Sequence, residues 1–409
     1  MKKINLPHIL FVSISLSLAV VYGLSWLKLI VDPVQRTGSD FMAFYAAGHG
    51  ILQNNMAAAY DLNQIAAQQE DVLGFRIPDQ SANLFLHPPF ILPILWVVAH
   101  FDYVPAYYLW AGFMLILCIV CAQLAMKIFS LATFTNRIAL WTGIMLFFPL
   151  FVSVINGQDS ALLLLGAMFW YYGLTHNSNR VAGLGLALTT IRPQVALMLG
   201  VPFLFHEPRR KVWWWFCLGG GILVLISIAL IGQDGVQNYL NTLSVTATGD
   251  GYRTNEIAMV NLIGLLKHLL PSINAAAIRL IGWGSNLAGV VILCGMWRKA
   301  SEIEGRLISL AIIIALFTSP HTHYYDLALL IIPTLIVVRE LVAAEKVPLK
   351  YALLIPLGIS LLFAFTYSVK WKTATFTFLT IYLVEISLLV IPWLLTNREH
   401  EERAHLLSE

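Results

Sequence analysis

The sequence predicts an all-α, polytopic membrane protein, and three observations lead there. Hydrophobic residues make up 58% of the 409 and charged residues only 11%, where soluble domains carry roughly 25% charged residues. The apolar residues gather into runs near 8–31, 84–99, 104–126, 138–155, 158–174, 181–205, 211–231, 275–297, 305–318, 326–343, 348–367 and 374–395; long apolar runs with few charges are membrane helices. The basic residues cluster at run ends, where they set orientation.

Taken in order, Met1-Lys2-Lys3 precedes an apolar run that reaches Val31. The run is too long for a secretory h-region and no small-x-small cleavage site follows, so it reads as an uncleaved first span with the lysines inside. The next stretch, 32–83, carries Asp32, Asp40, Asp61, Glu70, Asp71 and Asp79 against Arg36 and Arg76, which places it outside. Two amphipathic helices are expected in it. Phe41, Phe44, Tyr45, Gly48 and Leu52 recur at helical spacing, and a second helix over 62–73 starts behind Asp61 as N-cap. Such helices would lie flat in the interface and set Asp40 at the mouth of a cavity enclosed by the spans.

Runs 84–99 and 181–205 contain Pro88, Pro89, Pro93 and Pro193, which permit broken or re-entrant helices. If every run crosses there are twelve spans; if these two dip in and return there are ten, with Lys127 and Arg137 then inside. From 206 onward, alternation keeps Arg209-Arg210-Lys211, Arg298-Lys299 and Arg398 cytoplasmic and leaves 232–274 and 319–325 outside. The whole chain, 1–409, is expected to be one integral membrane domain of 10–12 segments with external loops 32–83 and 232–274. The formal net charge of +3 gives no footprint for nucleic acid. Cys118 and Cys121 have redox or metal spacing, but they sit mid-run without His or acidic company and read as small packing residues, as do Cys217 and Cys294.

Polar groups inside apolar runs are costly, so each asks for a reason. Arg192 interrupts 184–199 in the context Thr189-Thr190-Ile191-Arg192-Pro193-Gln194. Pro193 removes a backbone donor and disfavours helix at the residue before it, and a guanidinium at a helix break is an anion site; the plain alternative is a snorkelling Arg. Asn156-Gly157-Gln158-Asp159 parts two apolar runs and is either a solvated turn or a substrate contact through Gln158. Ser319-Pro320-His321-Thr322-His323-Tyr324-Tyr325-Asp326 is dense in donors and acceptors, suited to phosphate or sugar hydroxyls; His321 and His323 have the spacing of a metal pair, but only Asp326 accompanies them, so no metal is expected. His87 precedes Pro88-Pro89, ordinary residues for a helix start, and is expected to face the same cavity. Glu385 is a lone acid in the last run. Nucleotide-binding glycine patterns are absent, so an activated donor must already be in the membrane, and no cofactor is expected.

Asp40-Phe41 with Tyr45-Ala46-Ala47, then Tyr60-Asp61, His87-Pro88-Pro89, Gly157-Gln158, Arg192-Pro193, and Ser319-Pro320 with Tyr325-Asp326-Leu327 follow one another in an order that resembles the polytopic GT-C glycosyltransferases. The closest resemblance is to the polyprenyl-phosphate-mannose-dependent alpha-mannosyltransferases of glycosyltransferase family 87. It implies a GT-C-type helical bundle with amphipathic juxtamembrane helices in the first external loop. It also implies a multi-pass protein of a bacterial cytoplasmic (inner) membrane with its active site facing outward. The implied reaction is inverting transfer of a sugar from polyprenyl phosphate to a glycan or glycolipid acceptor, with Asp40 as general base. Arg192, His321, His323, Tyr325, Asp326, Gln158, His87 and Tyr45 are the implied donor-phosphate or sugar contacts. Family members often carry Tyr where His87 stands, Lys where Arg192 stands, and a Trp with paired His after the Ser-Pro, so the donor sugar is not fixed by the motifs.

Two other readings start from the same residues. A broken helix with an intramembrane Arg also suits a secondary transporter or flippase, although no inverted repeat stands out. A scaffold of envelope assembly would need no concentrated polar motifs.

Overall fold

The computed structural model describes residues 6–31, 40–77, 81–131, 133–248, 256–343, 347–369 and 377–391. Lys2, Lys3, Asp32, Arg36, Asp79 and Arg398 lie outside the described residues. Regular structure among the described residues is entirely helical, so this is an all-α membrane protein.

Helix α1 (Leu6–Val31) is apolar along its length and mostly exposed; only Leu18, Tyr22 and Leu29 are buried. An apolar helix of about 39 Å at 1.5 Å per residue, bare on most faces, is soluble only in lipid. Tyr22 ties it to the body by stacking on Phe151 with ring centroids 3.8 Å apart and by donating to the Leu146 carbonyl at 2.8 Å.

Helices α2 (Phe41–Gln53) and α3 (Leu62–Leu73) form in the first polar stretch where the spacing puts them. Asp61 caps α3 by accepting from the Asn63 amide at 3.0 Å. Only the setting of α2 differs from expectation. Phe41 to Ala47 are all buried, so α2 is an internal helix, not one lying flat in an interface. Ala43, Ala46, Ala47 and Gly48 cause this, because their small side chains let a second backbone approach. That backbone belongs to α4 (Leu92–Val98), and a Cβ on Gly48 would come 2.6 Å from the Leu95 carbonyl oxygen. Helix α4 is about 10 Å long, well short of the roughly 30 Å hydrocarbon core; prolines 88, 89 and 93 limit it.

Helix α5 (Tyr103–Ile128) is a long, half-buried span candidate and carries Cys118 and Cys121 as buried free thiols. Helices α6 (Phe134–Met145) and α7 (Phe148–Ile155) meet at 56°, with Pro149 at the bend. Helices α8 (Ser160–Thr175) and α9 (Asn179–Leu188) pack backbone to backbone; a Cβ on Gly185 would sit 2.4 Å from the Trp170 amide nitrogen. The run 181–205 is then broken into a 3-10 turn at Thr189–Ile191, α10 (Pro193–Gly200) and α11 (Pro202–Phe205).

Helix α12 (Arg210–Thr248) continues beyond the apolar run, with a non-helical residue at Gly232 where φ is 64°. The described part of the polar stretch 232–274 is therefore largely helical. Its first part leans on the loop before α3, where Thr242 donates to the Tyr60 carbonyl at 3.1 Å and the Tyr239 and Tyr60 rings lie 4.9 Å apart. Helices α13 (Leu262–Leu269), α14 (Ala275–Lys299) and α15 (Gly305–Thr318) follow. After the 3-10 segment Tyr324–Leu330 come α16 (Ile331–Ala343), α17 (Leu349–Ala352), α18 (Leu354–Val369) and α19 (Thr377–Ile391). Among the described residues four helices are long and apolar enough to cross a membrane, or five with α6–α7 taken as one bent span. Six further apolar helical segments among the described residues are only 10–17 residues long.

Candidate active site

One cavity of about 780 Å³ gathers most of the polar groups singled out in the sequence: Asp40, His87, Gln158, Arg192, His321, His323 and Tyr325 all line it. Ligand pockets run roughly 300–1,000 Å³, so this one admits a sugar-sized group together with part of a second substrate.

Asp40 stands immediately before α2. Its side chain makes no capping hydrogen bond, so the carboxylate is left for the cavity. A turn taken from another part of the chain holds it there. The Phe41 amide donates to the Asn156 carbonyl at 3.1 Å. Gly157 has φ +71°, and a Cβ there would meet the Phe41 Cβ at 2.4 Å, so only glycine lets the turn close on α2. Helix α5 pins the other side: Tyr107 donates to the Ile155 carbonyl at 2.7 Å and Trp110 Nε1 to the Gly157 carbonyl at 2.9 Å. The Asn-Gly turn is thus buried structure and not a solvated bend. It delivers Gln158 and Asp159 to the wall beside Asp40.

Asp159 is the residue that sequence reasoning undervalued. It is fully buried and accepts from Arg192 Nη2 at 3.0 Å, while its second oxygen lies 2.8 Å from His87 Nδ1. Arg192 Nη1 is 2.9 Å from the same His87 nitrogen, and Nε is 3.4 Å from Asp326 Oδ1. The guanidinium therefore spends its three nitrogens on protein groups. It can do so because the helix is broken: Arg192 has φ −123° and ψ 85°, outside the helical region, directly before Pro193. Burial alone would push the Asp159 carboxyl up, but the Arg192 charge and His87 outweigh it and hold the carboxyl well below its usual range. For Asp326 the balance falls the other way: burial wins over Arg192 and the His323 amide, and its carboxyl is raised.

His87 is fixed from behind. Its carbonyl accepts from Tyr60 at 2.7 Å, and the Phe44 and Phe85 rings lie 4.6 and 5.2 Å from the imidazole. The Ser319–Asp326 segment is tied down through its backbone. Asn261 Nδ2 donates to the Ser319 carbonyl at 2.7 Å, the Val260 amide to Thr322 at 2.9 Å, and the His323 amide to Asp326 Oδ2 at 2.9 Å. His321 and His323 stand edge to face, 4.6 Å between ring centroids. Burial, then His323, holds His321 well below the ordinary imidazole range. His323 is lowered by burial too, less so because Asp40 is near and because it bonds to the Ala258 backbone. Asp326 supports this segment from beneath. Tyr45 faces elsewhere: its hydroxyl donates to the Phe101 carbonyl at 3.1 Å, and its ring stacks on His49. Among the described residues no cluster of three or more His, Cys, Asp or Glu could hold a metal ion.

Residues 85–320 match the family model of glycosyltransferase family 87, more than half of the chain. The chain belongs to glycosyltransferase family 87. It is therefore a membrane glycosyltransferase, with donor and acceptor substrates. No curated protein and no solved structure matches it. The family match takes in His87, Gln158, Asp159 and Arg192 and stops before His321. Asp40 lies outside it, and the fold brings it to the same cavity.

The far end of the cavity carries charges that sequence reasoning passed over. Glu256 and Arg279 line it; Glu256 Oε2 pairs with Lys267, and Glu256 Oε1 is 3.5 Å from Arg279 Nη1. Arg279 had a sequence signal of the same kind as Arg192, a cation inside the apolar run 275–297.

Proposed function

We propose that this glycosyltransferase moves a sugar, mannose first among candidates, from polyprenyl phosphate to an envelope glycan or lipid acceptor, with inversion. The site would face the outside or periplasm of a bacterial cytoplasmic membrane. The observation that carries this reading is the unspent Asp40 carboxylate on a cavity lined by His87, Gln158, Arg192, His321, His323 and Tyr325.

The acceptor hydroxyl attacks the anomeric carbon from the face opposite the lipid phosphate. Its proton passes to Asp40, the new C–O bond forms, and the bond to the phosphate oxygen breaks with its electron pair. The lipid phosphate leaves with the added charge. One in-line displacement inverts the anomeric centre, and general-base help of this kind contributes about 10²–10⁴-fold. Gln158, the two histidines and Tyr325 offer donors and acceptors to sugar hydroxyls. Arg192, held by Asp159 and Asp326, fixes His87 in the cavity wall.

The test is transfer by the purified protein in detergent, from radiolabelled polyprenyl-phosphate-mannose to an envelope-glycan extract, with the anomeric configuration of the product determined. Inverted mannoside is expected. Transfer only from a different polyprenyl-phosphate sugar corrects the donor. Retention of configuration contradicts single displacement, and no transfer from any such donor contradicts a polyprenyl-phosphate sugar as the donor.

A further inference from the structure

The expectation from sequence puts a substrate phosphate on Arg192, but the charge balance of the cavity points elsewhere. Arg192 faces two carboxylates, Asp159 at 3.0 Å and Asp326 at 3.4 Å, and its third side is taken by His87. A substrate phosphate there would meet two acids already in contact with the one cation. At the other end, among the described residues, Lys267 and Arg279 both contact the carboxylate of Glu256 through its two oxygens. Arg279 keeps the longer of these contacts, 3.5 Å, and its side chain is 17% exposed on the cavity, against 9% for Arg192.

The helix that carries Arg279 presents a matching face. Arg279, Trp283 and Asn286 follow at i, i+4 and i+7 on α14 and all line the same cavity. Among the described residues Asn286 Nδ2 is a buried N–H donor with no partner, a state that a ligand acceptor would relieve. The 3-10 turn Glu256–Ala258 is joined to the reacting groups through the Val260 amide, which donates to the Thr322 carbonyl between His321 and His323 at 2.9 Å.

We infer that Arg279, with Lys267 drawing off Glu256 and Asn286 supplying a further N–H, forms the anion subsite that takes a phosphate group of a substrate. Arginine suits this role because its planar fork can give two hydrogen bonds to one phosphate. The inference rests on the glycosyl-transfer reading for what the phosphate is attached to, but its test does not need turnover.

Binding is measured on the full chain in lipid nanodiscs with three probes: decaprenyl phosphate, the neutral alcohol decaprenol, and water-borne mannose 1-phosphate. The expected result is that wild type prefers decaprenyl phosphate to decaprenol at least tenfold, that Arg279→Gln loses this preference, and that Arg279→Lys keeps part of it. Lys267→Gln should weaken phosphate binding as well, because Glu256 is then left wholly to Arg279; it carries the test if Arg279→Gln fails to fold. If mannose 1-phosphate shows the Arg279 dependence and decaprenyl phosphate does not, the subsite holds and its ligand is a water-borne phosphate. Equal retention of the phosphate probes by wild type, Arg279→Gln and Lys267→Gln overturns the assignment. Loss of transfer with intact Arg279-dependent binding refutes the proposed reaction and not the subsite.

Discussion

The two ends of the cavity treat buried charge in opposite ways. Around Arg192 the carboxylates outnumber the cation and every guanidinium nitrogen is occupied. Around Glu256 one carboxylate divides itself between two cations, and Arg279 keeps cavity-facing surface. The first arrangement is a brace. It holds His87, the Gly157 turn and the Ser319–Asp326 segment in one rigid wall beside Asp40. The second has binding capacity left over. A buried arginine is therefore poor evidence for an anion site until its counter-charges have been counted, because a compensated ion pair gains nothing from one more anion.

Breaking the brace should have the largest effect. Asp159→Ala leaves Arg192 and His87 without their shared carboxylate in a fully buried position, which costs about 3–5 kcal/mol. Thermal unfolding in detergent should show collapse of the folded fraction, whereas Glu256→Gln at the open end should shift it far less. Gly157→Ala comes next. The positive φ and the 2.4 Å approach to Phe41 together cost about 2 kcal/mol. The resulting displacement of Asp40 should lower kcat about a hundredfold, while retention of Arg279-dependent phosphate binding would confirm that the two ends are separable.

The brace also carries a pH signature. Burial holds the imidazole of His321 well below its ordinary range, so the unfolded chain binds a proton that the folded chain refuses. Stability should then fall as pH drops below about 6.5, the free histidine value. The expected loss is a few degrees of melting temperature, and His321→Gln should flatten it. An unchanged slope in that variant would place the titrating group elsewhere. The smallest effect is at Tyr45, whose hydroxyl serves the Phe101 carbonyl away from the cavity. Tyr45→Phe should cost about 1 kcal/mol or less and leave transfer kinetics unchanged.

The sequence makes much of this legible. Composition alone fixes a helical membrane protein, helical spacing places α2 and α3 within a residue of their ends, and Pro193 marks the break at Arg192. The order of polar motifs leads to family 87. Depth is less legible. Periodicity shows that α2 has an apolar face, but its burial on all sides comes from small residues meeting α4 across the fold, which no local pattern displays. Charge pairing is less legible still. Asp159 reads as a turn residue until folding lays it against Arg192 and His87. Arg279 reads as one cation in a long run until Glu256 and Lys267 come to its side. Motif reasoning finds polar residues that sit close in sequence; the counter-ions that decide their roles arrive from 23 to 134 positions away.

The central claim is that Asp40, delivered by the Gly157 turn, is the base for glycosyl transfer. The most direct measurement is kcat of Asp40→Asn beside wild type, both monodisperse and equally stable, with a donor that wild type uses. A fall of about 10²–10⁴-fold is expected, with decaprenyl phosphate binding intact. An Asp40→Asn enzyme that turns over at the wild-type rate contradicts it.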